Sequence, residues 1–291
     1  MSHATSSDTG PVVRLHGIDK TFERRDGEPT VALQAIDLDI ERGEFLSLIG
    51  PSGCGKSTLL RVIGDLIAPS AGEVVVNGKP AAQARLDRDY GMVFQAPVLF
   101  DWRTVEDNVK LPLEIQGMGA SAREVRARQM LDLVELGEFV HHYPWQLSGG
   151  MQQRVAIARA LAFEPAILLM DEPFGALDEM TRERMNAEVQ RIWQQTGTTA
   201  VFVTHSIPEA VFLSSRVVVM SARPGRITTV IDIDLPRPRT EETRESERYF
   251  ELVTEVREAL RQRDRGADAD GTAAAEAAAS ARRTSAEGAV G

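Results

Sequence analysis

Short runs of nearly unbroken apolar residues recur along this chain, each closed by a polar or glycine-rich break: Phe45-Leu46-Ser47-Leu48-Ile49, Ile167-Leu168-Leu169-Met170, Ala200-Val201-Phe202-Val203 and Val217-Val218-Val219-Met220. Runs of this length predict strands covered on both faces, as in a parallel sheet with helices packed on it. Further upstream, Val12-Val13-Arg14-Leu15 begins the strand signal, and Ile36-Asp37-Leu38-Asp39-Ile40 alternates strictly, which predicts a half-buried strand. Pro69-Ser70-Ala71-Gly72 reads as a break, Val74-Val75-Val76 as a short strand and Asn77-Gly78 as a tight turn. The N-terminal part is therefore expected to add antiparallel strands to the core.

Between these strand signals the period changes. Val125, Met130, Leu131, Val134 and Leu136, continued by Val155, Ala158 and Ala162, have helical spacing, so about 120–162 is read as helical. Met180 to Gln195 predicts an amphipathic helix, and a charged helix is expected from Thr243 to Arg263, after the break Leu235-Pro236-Arg237-Pro238-Arg239. The fold class that follows is α/β: a mixed sheet core, an N-terminal antiparallel subdomain and a helical subdomain at about 96–162. The expected division is a disordered 1–10, a main domain over 11–239, a C-terminal helix over 240–265 and a low-complexity tail over 266–291.

Composition narrows the classes. A hydrophobic content of 43% over 291 residues is ample for a buried core, and a formal charge of −10 argues against a general nucleic-acid or anionic-membrane surface. No stretch approaches the roughly 18 apolar residues of a membrane span, and the polar start lacks a signal-peptide core, so a cytosolic location is expected. The single cysteine, Cys54, excludes an intrachain disulfide.

The chemistry begins where the first apolar run ends. Gly50-Pro51-Ser52-Gly53-Cys54-Gly55-Lys56-Ser57 fits G-x-x-x-x-G-K-S, with a strand signal before it and the helical residues Thr58, Leu59, Leu60, Val62 and Ile63 after it. Glycines let backbone N–H groups crowd around phosphate oxygens, Lys56 can reach the β- and γ-phosphates, and the Ser57 hydroxyl can ligate Mg²⁺. Cys54 is either a thiol activated by the helix N-terminus and Lys56 or a small side chain filling a turn; the second is preferred. Asp171-Glu172 follows a buried strand, which suits Asp171 to hold Mg²⁺ and Glu172 to orient or deprotonate a water. Ser148-Gly149-Gly150 opens a helix and, taken alone, is either an ordinary N-cap or a turn that offers N–H groups and a hydroxyl to an anion; the first is preferred until the other motifs are considered. There is one phosphate loop, so two sites would need two chains.

In this order the motifs resemble those of the ATP-binding subunits of ABC transporters, from about Val12 to Arg239. The Walker A loop is similar to 50–57, the signature motif to 147–154 and the Walker B strand to 167–172; Gln95 resembles the Q-loop glutamine, Gly175 to Asp178 the D-loop and His205 the switch histidine. Phe22 is similar to the aromatic that stacks on adenine. The resemblance implies ATP and Mg²⁺ as cofactors, with Ser57, Gln95 and Asp171 toward the metal and Glu172, His205 and Gln95 around the nucleophile. It implies a head-to-tail homodimer in which Ser148 and Gly150 of one copy close on the γ-phosphate held by Lys56 of the other, Asp178 linking the two sites. It further implies permease subunits, reached through a groove where Phe100 and Trp102 serve as anchors unless they are local core, and indirectly a solute-binding protein. The subunit would lie peripherally on the inner face of the membrane, without inserting and without binding nucleic acid.

Phe100 to Val105, Phe174 to Arg182 and Ser221 to Ile227 resemble the importer branch for nitrate, sulfonates and taurine, whose members also carry pyrimidine precursors and riboflavin. A soluble ABC ATPase acting on DNA or ribosomes would instead call for long heptads after Gln95 or tandem cassettes, and neither is found. A P-loop kinase would leave the signature and His205 without a role.

Overall fold

The structure is a computed structural model that describes residues 10–24 and 27–261. The expected disorder over 1–9, the tail over 266–291 and the last residues expected for the C-terminal helix, 262–265, lie outside the described residues.

The chain runs β1 (Val13–Phe22), β2 (Thr30–Ile40), β3 (Phe45–Ile49), α1 (Lys56–Ile63), β4 (Ala71–Val76), β5 (Lys79–Pro80), α2 (Ala81–Asp87) and β6 (Tyr90–Val93). Helices α3 (Val105–Ile115), α4 (Ala120–Leu133) and α5 (Gly149–Leu161) follow. Then come β7 (Ile167–Asp171), α6 (Glu179–Thr196), β8 (Thr199–Val203), α7 (Ile207–Leu213), β9 (Arg216–Met220) and β10 (Ile227–Asp232). The described part closes with α8 (Glu241–Glu245) and a helix over 247–261, α9.

Two sheets result. One is antiparallel, in the order β2-β1-β4-β5; the other, β10-β9-β3-β8-β7-β6, is parallel except for β10. Every residue of β3, β7 and β8 is buried, as the unbroken apolar runs require. Within β3 the period of two divides the side chains between two cores: Phe45 and Ile49 pack with the helices α3 to α6, Leu46 and Leu48 with α1 and the antiparallel sheet.

The parallel register sets up the chemistry. Leu48 pairs with Val203, Val203 with Asp171, and Met170 with Val93. Four strands therefore end level, and the residues leaving them, Gly50, Gln95, Glu172 and His205, emerge along one carboxyl edge. Ligands of open α/β sheets bind at that edge.

Several expectations change. The helical reading of 120–162 is interrupted: α4 stops at Leu133, and Glu135 at φ 57° turns the chain into two short 3-10 segments around Gly137 and Pro144. Val125, counted there as an apolar-face residue, is 56% exposed. The break assigned to 69–72 gives way at Ala71, because β4 already pairs with β1 there; a Cβ on Gly72 would lie 2.3 Å from the Gly17 carbonyl oxygen, so only glycine lets the two backbones approach. Ile227–Asp232 carries no strand signal in the reading above, yet forms an antiparallel edge strand. The charged C-terminal helix is two helices, parted at Ser246, whose ψ of 144° is extended. Leu235 to Arg239 is not merely an end to the core, since Arg239 is 3% exposed and bonded to five carbonyl groups.

Candidate functional site

The loop from Gly50 to Gly55 joins β3 to α1, and its shape follows from its glycines. Gly55 caps α1 at φ 101°, a conformation closed to ordinary side chains, and a Cβ there would sit 2.7 Å from Leu33 Cδ2 and 2.9 Å from the Ala32 carbonyl. The loop is braced from a second side by Gly225, where a Cβ would fall 2.0 Å from the Cys54 carbonyl oxygen. Gly225 N–H donates to the Ala32 carbonyl, and Gln34 N–H donates to that of Gly225. Residues 221–226 thus buttress the phosphate loop, and Arg223 Nε donates to the Gly53 carbonyl at 3.5 Å.

Lys56 is 5% exposed, its ammonium donating to the Gly50 and Pro51 carbonyls at 2.8 and 3.1 Å. Its charge is thereby held at the loop that opens α1. Cys54 is 1% exposed, and burial pushes its thiol above the usual range despite the Lys56 charge nearby. Of the two readings, the turn-filling side chain is the one the geometry matches, and the activated thiol is set aside. Pro51, Ser52 and Gly53 are exposed along the loop, and Ser57 and Thr58 are half-buried at the start of α1.

Ser57 hydroxyl donates to Asp171 Oδ1 at 2.6 Å, and Asp171 is 8% exposed. A hydroxyl and a carboxylate brought together at the helix N-terminus are hard oxygen donors of the kind Mg²⁺ prefers. Among the described residues no group of three or more His, Cys, Asp or Glu side chains forms a metal cage. One or two protein oxygens completed by phosphate and water is the usual Mg²⁺ arrangement, so these residues fit the ion. Arg61, which the sequence gave no reason to single out, approaches Asp171 Oδ2 at 3.9 Å.

Glu172 is the first residue beyond β7, and its φ of 46° is left-handed, a conformation that costs a non-glycine residue about 1 kcal/mol or more. This turn aims its carboxylate at the next strand end, where Glu172 Oε2 lies 3.4 Å from His205 Nδ1. Gln95 takes a different position. Its amide packs against Gly175, 3.0 Å from where a Cβ there would be, so it borders the loop after Glu172. Asp178 caps α6 by accepting from Thr181 N–H at 3.0 Å, and hydrogen bonding from the Thr181 side chain first, with this backbone bond second, holds its carboxyl below the usual range. Phe22 is 40% exposed, with Lys20 Nζ 5.0 Å from its ring centroid. It pairs with Thr30, two residues before the Ala32 carbonyl that crowds Gly55, which sets it on the hairpin end near the phosphate loop.

Ser148 caps α5, its Oγ accepting from Met151 N–H at 3.4 Å, and is exposed together with Gly149. Gly150 is buried against Thr181 and Met185. Ser148 lies on a cleft of about 310 Å³ lined also by Arg154, Thr181 and Arg184, none of them a phosphate-loop residue. The strand edge thus gathers one half of the expected site, and the signature turn lines a different cleft, next to the loop that carries Asp178. Trp102 is 75% exposed with its ring 4.9 Å from that of Phe100, so it is not local core. Asn108, fully buried, holds this loop by donating to the Phe100, Arg103 and Thr104 carbonyls and accepting from Phe100 N–H.

A larger cleft, about 520 Å³, lies at the amino edge of the parallel sheet between Gly43, Ala166 and Thr199. Its arginines already donate elsewhere, Arg42 to Asn77 and Arg126 to the Leu161 and Ala162 carbonyls. Among the described residues no helix is long and apolar enough to cross a membrane.

Comparison with known proteins agrees with this geometry. The family described as ABC transporter matches residues 33–175. A taurine import ATP-binding protein of Rhizobium johnstonii is 45% identical over 245 residues, covering 82% of this chain and 92% of that protein. A bicarbonate transport ATP-binding protein of a Synechocystis strain is 46% identical over 257 residues, covering 87% of this chain and 38% of the longer relative. Among solved structures, a dimeric ATP-binding cassette in a post-hydrolysis state bound to ADP and Pi superposes with a TM-score of 0.67 at 38% identity, covering 76% of this chain and 98% of that one. The chain belongs to the ABC transporter family and is one of its ATPase cassettes.

Proposed function

We propose that this cassette hydrolyses ATP to drive an importer for a small solute of the sulfonate class, working as a head-to-tail homodimer on the cytoplasmic face of the membrane. The observation that carries the reading is the division of the site: Lys56, Ser57, Asp171, Glu172 and His205 meet at one sheet edge, while Ser148 is exposed on a separate cleft. A second copy, turned about a twofold axis, supplies Ser148 and Gly150 to the first.

In this arrangement the phosphate-loop amides and Lys56 bind the triphosphate, and Phe22 stacks on the base. Ser57 and Asp171, with Gln95 on closure, would hold Mg²⁺, which when bound would supply positive charge to the phosphates. Glu172 orients the attacking water and takes its proton, and His205 contacts the γ-phosphate. Closure excludes bulk water around these groups, which strengthens each electrostatic contact. Trp102, exposed on a loop that Asn108 holds rigid, is the anchor for a permease helix. The solute class rests on the taurine relative and on the three stretches in 100–105, 174–182 and 221–227.

Steady-state turnover of Mg·ATP by the purified chain tests the reading. Lys56→Ala is expected to weaken ATP binding by about 2 kcal/mol, roughly thirtyfold. Undiminished ATP affinity in that variant would remove the role given to Lys56. Calorimetry on the binding protein of the same system, against taurine, an alkanesulfonate, nitrate and bicarbonate, decides the cargo; heat from bicarbonate alone would overturn the sulfonate assignment.

A further inference from the structure

Arg182 and Glu209 occupy the first turns of the two helices that leave the site, α6 after Asp178 and α7 after His205. Neither was singled out by sequence. Arg182 folds back so that Nη2 donates to the Leu177 carbonyl at 3.0 Å, one residue before Asp178. Its Nε faces Glu209 Oε1 at 3.6 Å. The other Glu209 oxygen, Oε2, accepts from the Thr204 hydroxyl at 2.5 Å, and Thr204 Oγ1 in turn accepts from Ser206 N–H at 3.0 Å. The backbone on both sides of His205 is therefore tied to one carboxylate, and that carboxylate faces the loop carrying Asp178.

The surroundings make this pair unusual. Glu209 is 5% exposed, and neither Glu209 Oε1 nor Arg182 Nε has a hydrogen-bond partner among the described residues. The titratable groups facing Glu209 are Arg182, His205 and Arg244, and burial still pushes its carboxyl above the usual range. Glu209 is buried while the Arg182 side chain stays 27% exposed, so the carboxylate gets back little of its desolvation cost from so loose a partner and stability is a poor reason for the pair; fixing the register of two elements is the better-attested use. A separation of 3.6 Å leaves the charge-assisted bond incomplete, and a small approach of α6 to α7 would close it to about 2.8 Å. Tyr249 steadies α7 from the far side, its hydroxyl donating to the Pro208 carbonyl at 3.2 Å.

We propose that Arg182 and Glu209 are positioning residues that couple the Asp178 loop to His205, so that contact with the partner copy at Asp178 sets the switch histidine of the same chain. The inference rests on the shared-site reading given above. Pairing tightens as the second copy presses on the Asp178 loop, and Thr204 passes that position to His205.

The test is a double-mutant cycle on the full chain with Arg182→Gln, Glu209→Gln and both, plus Arg182→Lys as the conservative variant. Mant-ATP binding to the single copy, kcat and the Hill coefficient for ATP are read together. Each Gln variant is expected to bind nucleotide within about twofold of the parent, to lose about tenfold in kcat and to show a Hill coefficient near one. The double variant should be no worse than either single, and Arg182→Lys should recover part of kcat. Unchanged kcat and cooperativity, effects that multiply in the double variant, or parallel losses of nucleotide binding and kcat would each overturn the coupling role. The shared-site reading fails differently: sedimentation of Glu172→Gln with Mg·ATP would then show no dimer even with Arg182 and Glu209 intact.

Discussion

Cys54 shows how far one residue's surroundings can oppose its sequence context. A thiol two residues before a lysine, at the start of a helix, reads as activated, yet desolvation outweighs the neighbouring charge and raises its pKa. Its ionisation in the folded protein therefore lies above the ordinary thiol range near 8.5. The corresponding contribution to stability is present below the unfolded pKa and is lost as pH rises through the higher folded value. Alkylation by iodoacetamide should accordingly stay slow in the native chain through that ordinary range and climb only at more alkaline pH, whereas the urea-unfolded chain follows a normal thiol profile. Rapid stoichiometric labelling of native protein near neutrality would contradict this. Glu172 carries the opposite lesson. Its left-handed backbone is invisible in Met170-Asp171-Glu172-Pro173, but it accounts for a carboxylate that turns out of its strand toward His205.

At the scale of elements, what was legible is what one segment encodes by itself. The apolar runs of β3, β7, β8 and β9 and the glycine spacing of the phosphate loop each satisfy a local requirement, so the parallel core and the edge where the candidate residues gather could be read directly. Parts that depend on distant partners could not. Glu209 lies three residues after Ser206, a spacing that suggests a capping box, but its carboxylate goes to Thr204 and Arg182 instead. Pro236 to Arg239 looked like a terminating break. In the structure Arg239 closes the carboxyl end of α7: Nη1 donates to the Val211, Phe212 and Ser214 carbonyls at 3.0, 2.9 and 2.8 Å, and Nη2 to those of Ile233 and Leu235. Arg237 adds a bond to the Leu213 carbonyl at 2.7 Å and stacks on Trp193. A helix end has carbonyls without partners, and here two arginines from downstream supply the donors. Arg239→Met keeps the stem's apolar volume and leaves those carbonyls unpaired, at a cost of about 3 kcal/mol in urea unfolding. A loss below about 1 kcal/mol would show that water replaces the guanidinium freely.

For the whole molecule, the two sheets and the helical layer divide the chemistry between surfaces that one copy does not bring together. The candidate nucleotide-holding residues line the carboxyl edge of the parallel sheet, and Ser148 sits on the cleft between α5 and α6. In the proposed dimer such a division would make nucleotide the adhesive between copies and its hydrolysis the release, because contacts to the γ-phosphate exist only before cleavage. The most direct measurement is sedimentation equilibrium of Glu172→Gln at saturating Mg·ATP, with Glu172→Gln/Ser148→Arg as the companion. Glu172→Gln should show a mass near twice 31.9 kDa, falling back to that of a single copy when Ser148 is also replaced. A single-copy mass for Glu172→Gln with nucleotide demonstrably bound, or a dimer indifferent to Ser148→Arg, would contradict the account.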